Sequence, residues 1–138
     1  MSPDMHQSSP EAEWQAAASC IFERITSTPL VRIERLTGGS INRVFSCTSA
    51  NGEQMVLRLV PWSQKDNRRG AAEWTRILAD AGTGVVPYTA TARDGDPAPC
   101  FWMAMPFVEG TDLAKALPGM STEQQRQLAH ELFTRQNL

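Results

Sequence analysis

Basic excess is missing from this chain of 138 residues: thirteen Lys and Arg stand against fifteen Asp and Glu, a net charge of −2. A balance of that kind lacks the electropositive footprint of a dedicated nucleic-acid binder, so no nucleic-acid partner is expected. Long apolar runs are also missing. No stretch approaches the roughly 20 residues of a membrane helix. The opening MSPDMHQSSP has neither the basic nor the apolar region of a secretory signal. No membrane partner and a cytoplasmic location are therefore expected. Cysteine is scarce. Cys20, Cys47 and Cys100 are odd in number and scattered, which excludes a disulfide framework and a CxxC metal knuckle. Three reduced, mostly buried thiols are expected. His6 and His130 have no partner at metal-ligand spacing, so a zinc site is not expected. No Gly-Lys-Ser/Thr occurs, which excludes a Walker A loop.

What is present is an ordinary globular composition, 41% hydrophobic and 20% charged. The length suits one domain. Residues 1–9 are polar and read as a flexible tail. A helix over 10–25 follows, with Ser9 as candidate cap, Pro10 in the first helical position, and Glu11 and Glu13 at the positive end of the dipole. Trp14, Ala17, Ala18, Ile21, Phe22 and Ile25 make one apolar helical face.

The period then becomes strand-like. Strands are expected over Leu30–Leu36, Val44–Thr48 and Gln54–Val60, with Asn51-Gly52 as a hairpin turn. In the third strand Met55, Leu57 and Leu59 share one face, and Val56, Arg58 and Val60 the other. A helix over Asp66–Ala81 carries an apolar stripe of Trp74, Ile77, Leu78 and Ala81, with Gly82 as its stop. Two more strands are expected around Tyr88–Ala92 and Phe101–Met105. A short helix follows Glu109-Gly-Thr-Asp112. Ser121 and Gln124 form a capping-box pair for a last helix bearing Leu128, Ala129, Leu132 and Phe133. No internal repeat or low-complexity tract is present.

Three places carry candidate chemistry. Residues 38–43 are small and backbone-rich, so their N–H groups could approach phosphate oxygens; a plain turn between strands is the bland alternative. Arg58 sits mid-strand among apolar residues, where a cation needs a partner or an anion; an edge arginine reaching water is the alternative. Met103, Met105 and Phe107, taken one by one, read sooner as ordinary strand core than as the lining of a base pocket.

The order and spacing of Leu36-Thr-Gly-Gly-Ser-Ile-Asn-Arg-Val-Phe45, Val56-Leu-Arg-Leu-Val-Pro61, Glu73 and Met103-Ala-Met-Pro-Phe-Val-Glu-Gly110 resemble the N-terminal lobe of the aminoglycoside phosphotransferase and choline kinase-like family. The resemblance covers about Leu30 to Leu113. It implies an α+β, protein-kinase-like lobe: a five-stranded antiparallel sheet, a helix of the αC type and an extra N-terminal helix. The implied division is a lobe over 10–107, then a hinge and the first helices of a truncated second lobe over 108–138. It also implies ATP or GTP with Mg²⁺ as cofactors. The loop residues Gly39, Ser40 and Asn42 would approach phosphate, with Asn42 standing where a protein kinase has a third glycine. Arg58 would hold the α- and β-phosphates, oriented by Glu73. Met105 would back the adenine pocket, the Pro106 carbonyl and Val108 N–H would meet the base edge, and Val44, Val56 and Phe107 would form apolar walls.

The family's His-Gly-Asp loop and later magnesium motif do not occur in this sequence. No catalytic residue and no Mg²⁺ ligand is therefore assigned, and the chain alone is expected not to transfer phosphate. The family serves many hydroxyl compounds, so a nucleotide is the expected partner and no acceptor is named. A non-catalytic binding module and a degenerate remnant without ligand are the other two readings.

Overall fold

Alternation along the strands decides how this domain is layered. The computed structural model describes residues 4–36, 43–82, 84, 86–107 and 119–136, without the side chains of 132–136. Its elements are α1 (Glu11–Thr26), β1 (Leu30–Arg35), β2 (Arg43–Ser49), β3 (Gln54–Val60), a 3-10 turn at Trp62–Gln64, α2 (Lys65–Asp80), β4 (Ala90–Thr91), β5 (Phe101–Pro106) and α3 (Thr122–Gln136). The five strands form one antiparallel sheet in the order β1-β2-β3-β5-β4. The expected short helix after Glu109 lies outside the described residues.

The register aligns Phe45, Leu57 and Ala104 across the sheet, and Arg43, Leu59 and Trp102 beside them. Directly opposed residues share a face. All of these except Arg43 are buried hydrophobics of one core, together with Trp14, Ala17, Ala18, Ile21 and Phe22 of α1. Helix α1 therefore seals one face of the sheet. Full burial of a Phe22-sized side chain contributes roughly 2–3 kcal/mol. A fork from Arg24 to Asp96, at 3.2 and 2.8 Å, ties α1 to the connection before β5. Burial pushes the Asp96 carboxyl up, but Arg24 and the Ala98 N–H outweigh it and hold it below the usual carboxylate range.

Several local details differ from expectation. Pro10 occupies the N-cap of α1, and the Ser9 hydroxyl instead accepts the His6 N–H at 2.9 Å. Within the expected tail, Met5 is buried and its N–H donates to the Pro99 carbonyl at 2.8 Å. The hairpin turn forms at Asn51-Gly52, but only Gly52 takes positive φ (85°), so the turn is not a two-residue mirror-image type. The capping box at α3 forms as expected: Gln124 N–H donates to the Ser121 hydroxyl and Ser121 N–H to the Gln124 side chain. Helix α2 stops at Gly82, whose φ of 81° suits glycine.

The largest difference is the stripe of α2. Trp74, Ile77 and Leu78 are 63%, 44% and 38% exposed, and no residue of α2 is buried. The helix is moored at its N-terminal half. Arg69 donates to the Ala92 carbonyl at 3.1 Å, lies over the Phe101 ring and pairs with Asp94, and Ala72 packs against the core.

Two measurements test this layering. Phe22→Ala is expected to lower the unfolding free energy in urea by about 3–5 kcal/mol, whereas Trp74→Ala changes it by less than about 0.5 kcal/mol. Burial pushes the Cys47 and Cys100 thiols up to about 12, while Cys20 is exposed. One thiol is thus expected to react with a disulfide reagent in the native chain, and the other two only on unfolding.

Candidate functional site

The face that α1 leaves free carries the residues of interest. By register Val44, Arg58 and Met103 lie in one row across β2, β3 and β5, and Ser46, Val56 and Met105 in the next. Val60 and Phe101 form the row on the other side of Arg58. Trp62 packs edge-on to Phe101 with ring centroids 5.7 Å apart, so that end of the face is covered. The other end holds a shallow cavity of about 210 Å³, lined by Arg32, Glu34, Leu36, Ser46, Thr48, Gln54 and Phe107. Arg58 stands between the covered end and the open one.

Arg58 is half-buried. The ion pairs among the described residues use Arg24, Arg32, Arg35, Arg43, Lys65, Arg69, Arg76 and Arg126, and none uses Arg58. A guanidinium set by register between Val44 and Met103, with no carboxylate partner among the described residues, fits an anion brought by a ligand, and a phosphate matches its fork.

The expected Arg58–Glu73 pair is not formed. Glu73 is 57% exposed on α2 and pairs with Arg76 one turn on, which also meets Asp80 at 3.3 Å. The Arg76 hydrogen bond is the main cause holding the Glu73 carboxyl below its ordinary range. The physical reason lies in α2, whose anchoring contacts are made by residues before Glu73. A partner three residues away on the same helix is within immediate reach, and the sheet is not.

The other expected site residues divide clearly. Val44, Val56 and Met105 share the face of Arg58 by register, and Phe107 borders the cavity there. Met105 also borders a cavity of about 310 Å³ near the end of α1, with Phe22, Thr26, Met55, Thr89 and Pro106. Pro106 opposes Met55 and belongs to the α1 face, so only its backbone can serve the opposite side. Gly39, Ser40, Asn42 and Val108 lie outside the described residues. Leu36, Ser46 and Met103 join the face without having been singled out as site residues. The period of two, stepping from Val44 to Ser46 and from Met105 to Met103, is the signal that finds the last two. A wider cavity of about 590 Å³, lined by Asp4, Trp62, Lys65 and residues 94–98, touches none of the site residues.

Comparison with known proteins bears directly on this arrangement. The model of the phosphotransferase enzyme family matches residues 32–134. A crystal structure from Ralstonia eutropha JMP134, described as a "putative aminoglycoside phosphotransferase", is similar at 27% identity with a TM-score of 0.50. That match covers 78% of this chain and 32% of the other, so the chain spans about a third of that protein. No curated protein matches the chain. The sheet and its flanking helices are a kinase-like N-terminal lobe, and with most of its length matched the chain belongs to the phosphotransferase enzyme family.

Proposed function

We propose that this chain is the nucleotide-binding lobe of an ATP- or GTP-dependent phosphotransferase that acts on a small-molecule hydroxyl. The observation that carries the reading is Arg58, a half-buried cation with no carboxylate partner among the described residues, on the sheet face that α1 leaves open. In this reading Arg58 takes the α- and β-phosphates, as the corresponding cation does in kinase-type sites. Val44, Val56 and Met105 supply apolar surface for the flat base. Mg²⁺ bound with the nucleotide neutralises phosphate charge. The chain's own part is to bind and orient, because charge on the phosphates is stabilised by fixed cations and positioning.

Phosphate transfer by the chain alone is not expected. No His-Gly-Asp occurs in the sequence. Three aspartates are already engaged: Asp80 with Arg76, Asp94 with Lys65 and Arg69, and Asp96 with Arg24. The acceptor is set by parts of the family's site that this lobe does not hold.

Thermal unfolding with and without ATP–Mg²⁺ tests the proposal. At ten times the dissociation constant, nucleotide adds about 1.4 kcal/mol to the wild-type chain. Arg58→Met is expected to unfold no earlier than wild type without nucleotide, since no ion pair among the described residues is broken, and to lose the nucleotide-dependent gain. Equal gains in both proteins, or none in wild type, contradict the reading. Phosphate turnover with mixed hydroxyl acceptors by the purified chain contradicts the expectation of inactivity.

A further inference from the structure

Helix α1 is more than a cover for the sealed face. Its first residue, Glu11, reaches two arginines at once. One carboxylate oxygen lies 2.7 Å from Arg35 Nη1 and 3.5 Å from Arg43 Nε. Arg35 ends β1 and Arg43 begins β2. The two strand ends on either side of residues 37–42 are thus drawn to a single carboxylate.

Arg43 is held further. Its guanidinium carbon lies 5.3 Å from the centroid of the Trp14 ring, and its Nη2 donates to the Gln7 carbonyl at 3.1 Å. The side chain is only 13% exposed, so its orientation is set by these contacts and not by water. The residues next in sequence, Leu36 and Val44, point to the other side of the sheet. Leu36 N–H donates to the Val44 carbonyl at 2.8 Å. Leu36 lines the cavity on that side, and Val44 stands beside Arg58.

We propose that Glu11 is a positioning residue for the Leu36–Val44 edge of the nucleotide site, acting through Arg35 and Arg43 from the opposite face of the sheet. The inference rests on the nucleotide-binding reading above. Glu11 touches no ligand. It fixes how closely the ends of β1 and β2 approach, and so the wall that Leu36 and Val44 offer to a base. Both arginine contacts involve a partly exposed carboxylate, so the effect is moderate.

Glu11→Gln keeps size and removes the charge. In the full chain it is expected to speed amide exchange of Leu36 N–H several-fold without nucleotide, and to weaken ATP–Mg²⁺ binding about three- to tenfold, with the unfolding midpoint nearly unchanged. In an Arg35→Gln/Arg43→Gln background the same change is expected to have no further effect on either reading. Unchanged Leu36 exchange, unchanged ATP affinity where wild type binds, or a full effect of Glu11→Gln in the double background each overturn the inference. If wild type does not bind ATP, the nucleotide reading falls. The Leu36 exchange rate then decides by itself whether Glu11 sets the strand ends.

Discussion

A slip of one residue between β2 and β3 would exchange Arg58 with Leu57, placing a guanidinium in the core and a leucine in the cleft. The domain depends on that slip not occurring. Side chains alternate along a strand, so register settles which face every residue occupies. The pairing of Phe45 with Leu57 and of Leu57 with Ala104 puts a continuous apolar surface under α1. Desolvating that surface outweighs any gain from another register, because the alternative would bury Arg58 without a counter-charge. The position of Arg58 on the open face therefore follows from hydrophobic burial on the opposite face.

The same logic explains what could be read from the residues alone. Strands with strict alternation, such as Gln54–Val60, show their two faces directly, and the structure reproduces them. Helix α1 was legible because six apolar residues recur at helical spacing, and five of them are buried. That Glu73 turns to Arg76 and not to Arg58 was not legible. It needs a tertiary distance, and α2 sits where its mooring residues Arg69 and Ala72 place it. The apolar residues of α2 gave a clear helical period but no information on what they pack against. In the structure they remain largely exposed. Periodicity identifies an amphipathic face without naming its partner.

Local competition accounts for the remaining departures. The Ser9 hydroxyl accepts the His6 N–H, and Pro10 takes the N-cap of α1. Glu73 has a nearer cation in Arg76 than any on the sheet. For Glu73 a short sequence separation wins because it costs less chain entropy than a tertiary contact. Arg35 and Arg43 show the converse. They are brought to Glu11 only by the packing of α1 across the sheet, so no motif in the sequence marks them. Membership of the phosphotransferase enzyme family fits a lobe in which α1 seals one face and Arg58 stands on the other. No helix among the described residues is long and apolar enough to cross a membrane.

The central claim is that nucleotide meets the face of Val44, Val56 and Arg58 and not the face of α1. Titration of isotopically labelled protein with ATP–Mg²⁺, followed by NMR, tests it most directly. The account predicts saturable shifts at the methyl groups of Val44, Val56, Met103 and Met105 and at the Arg58 side chain, with Ala17, Ala18 and Ile21 unmoved. Shifts confined to the α1 face, or no saturable shift anywhere, would contradict it.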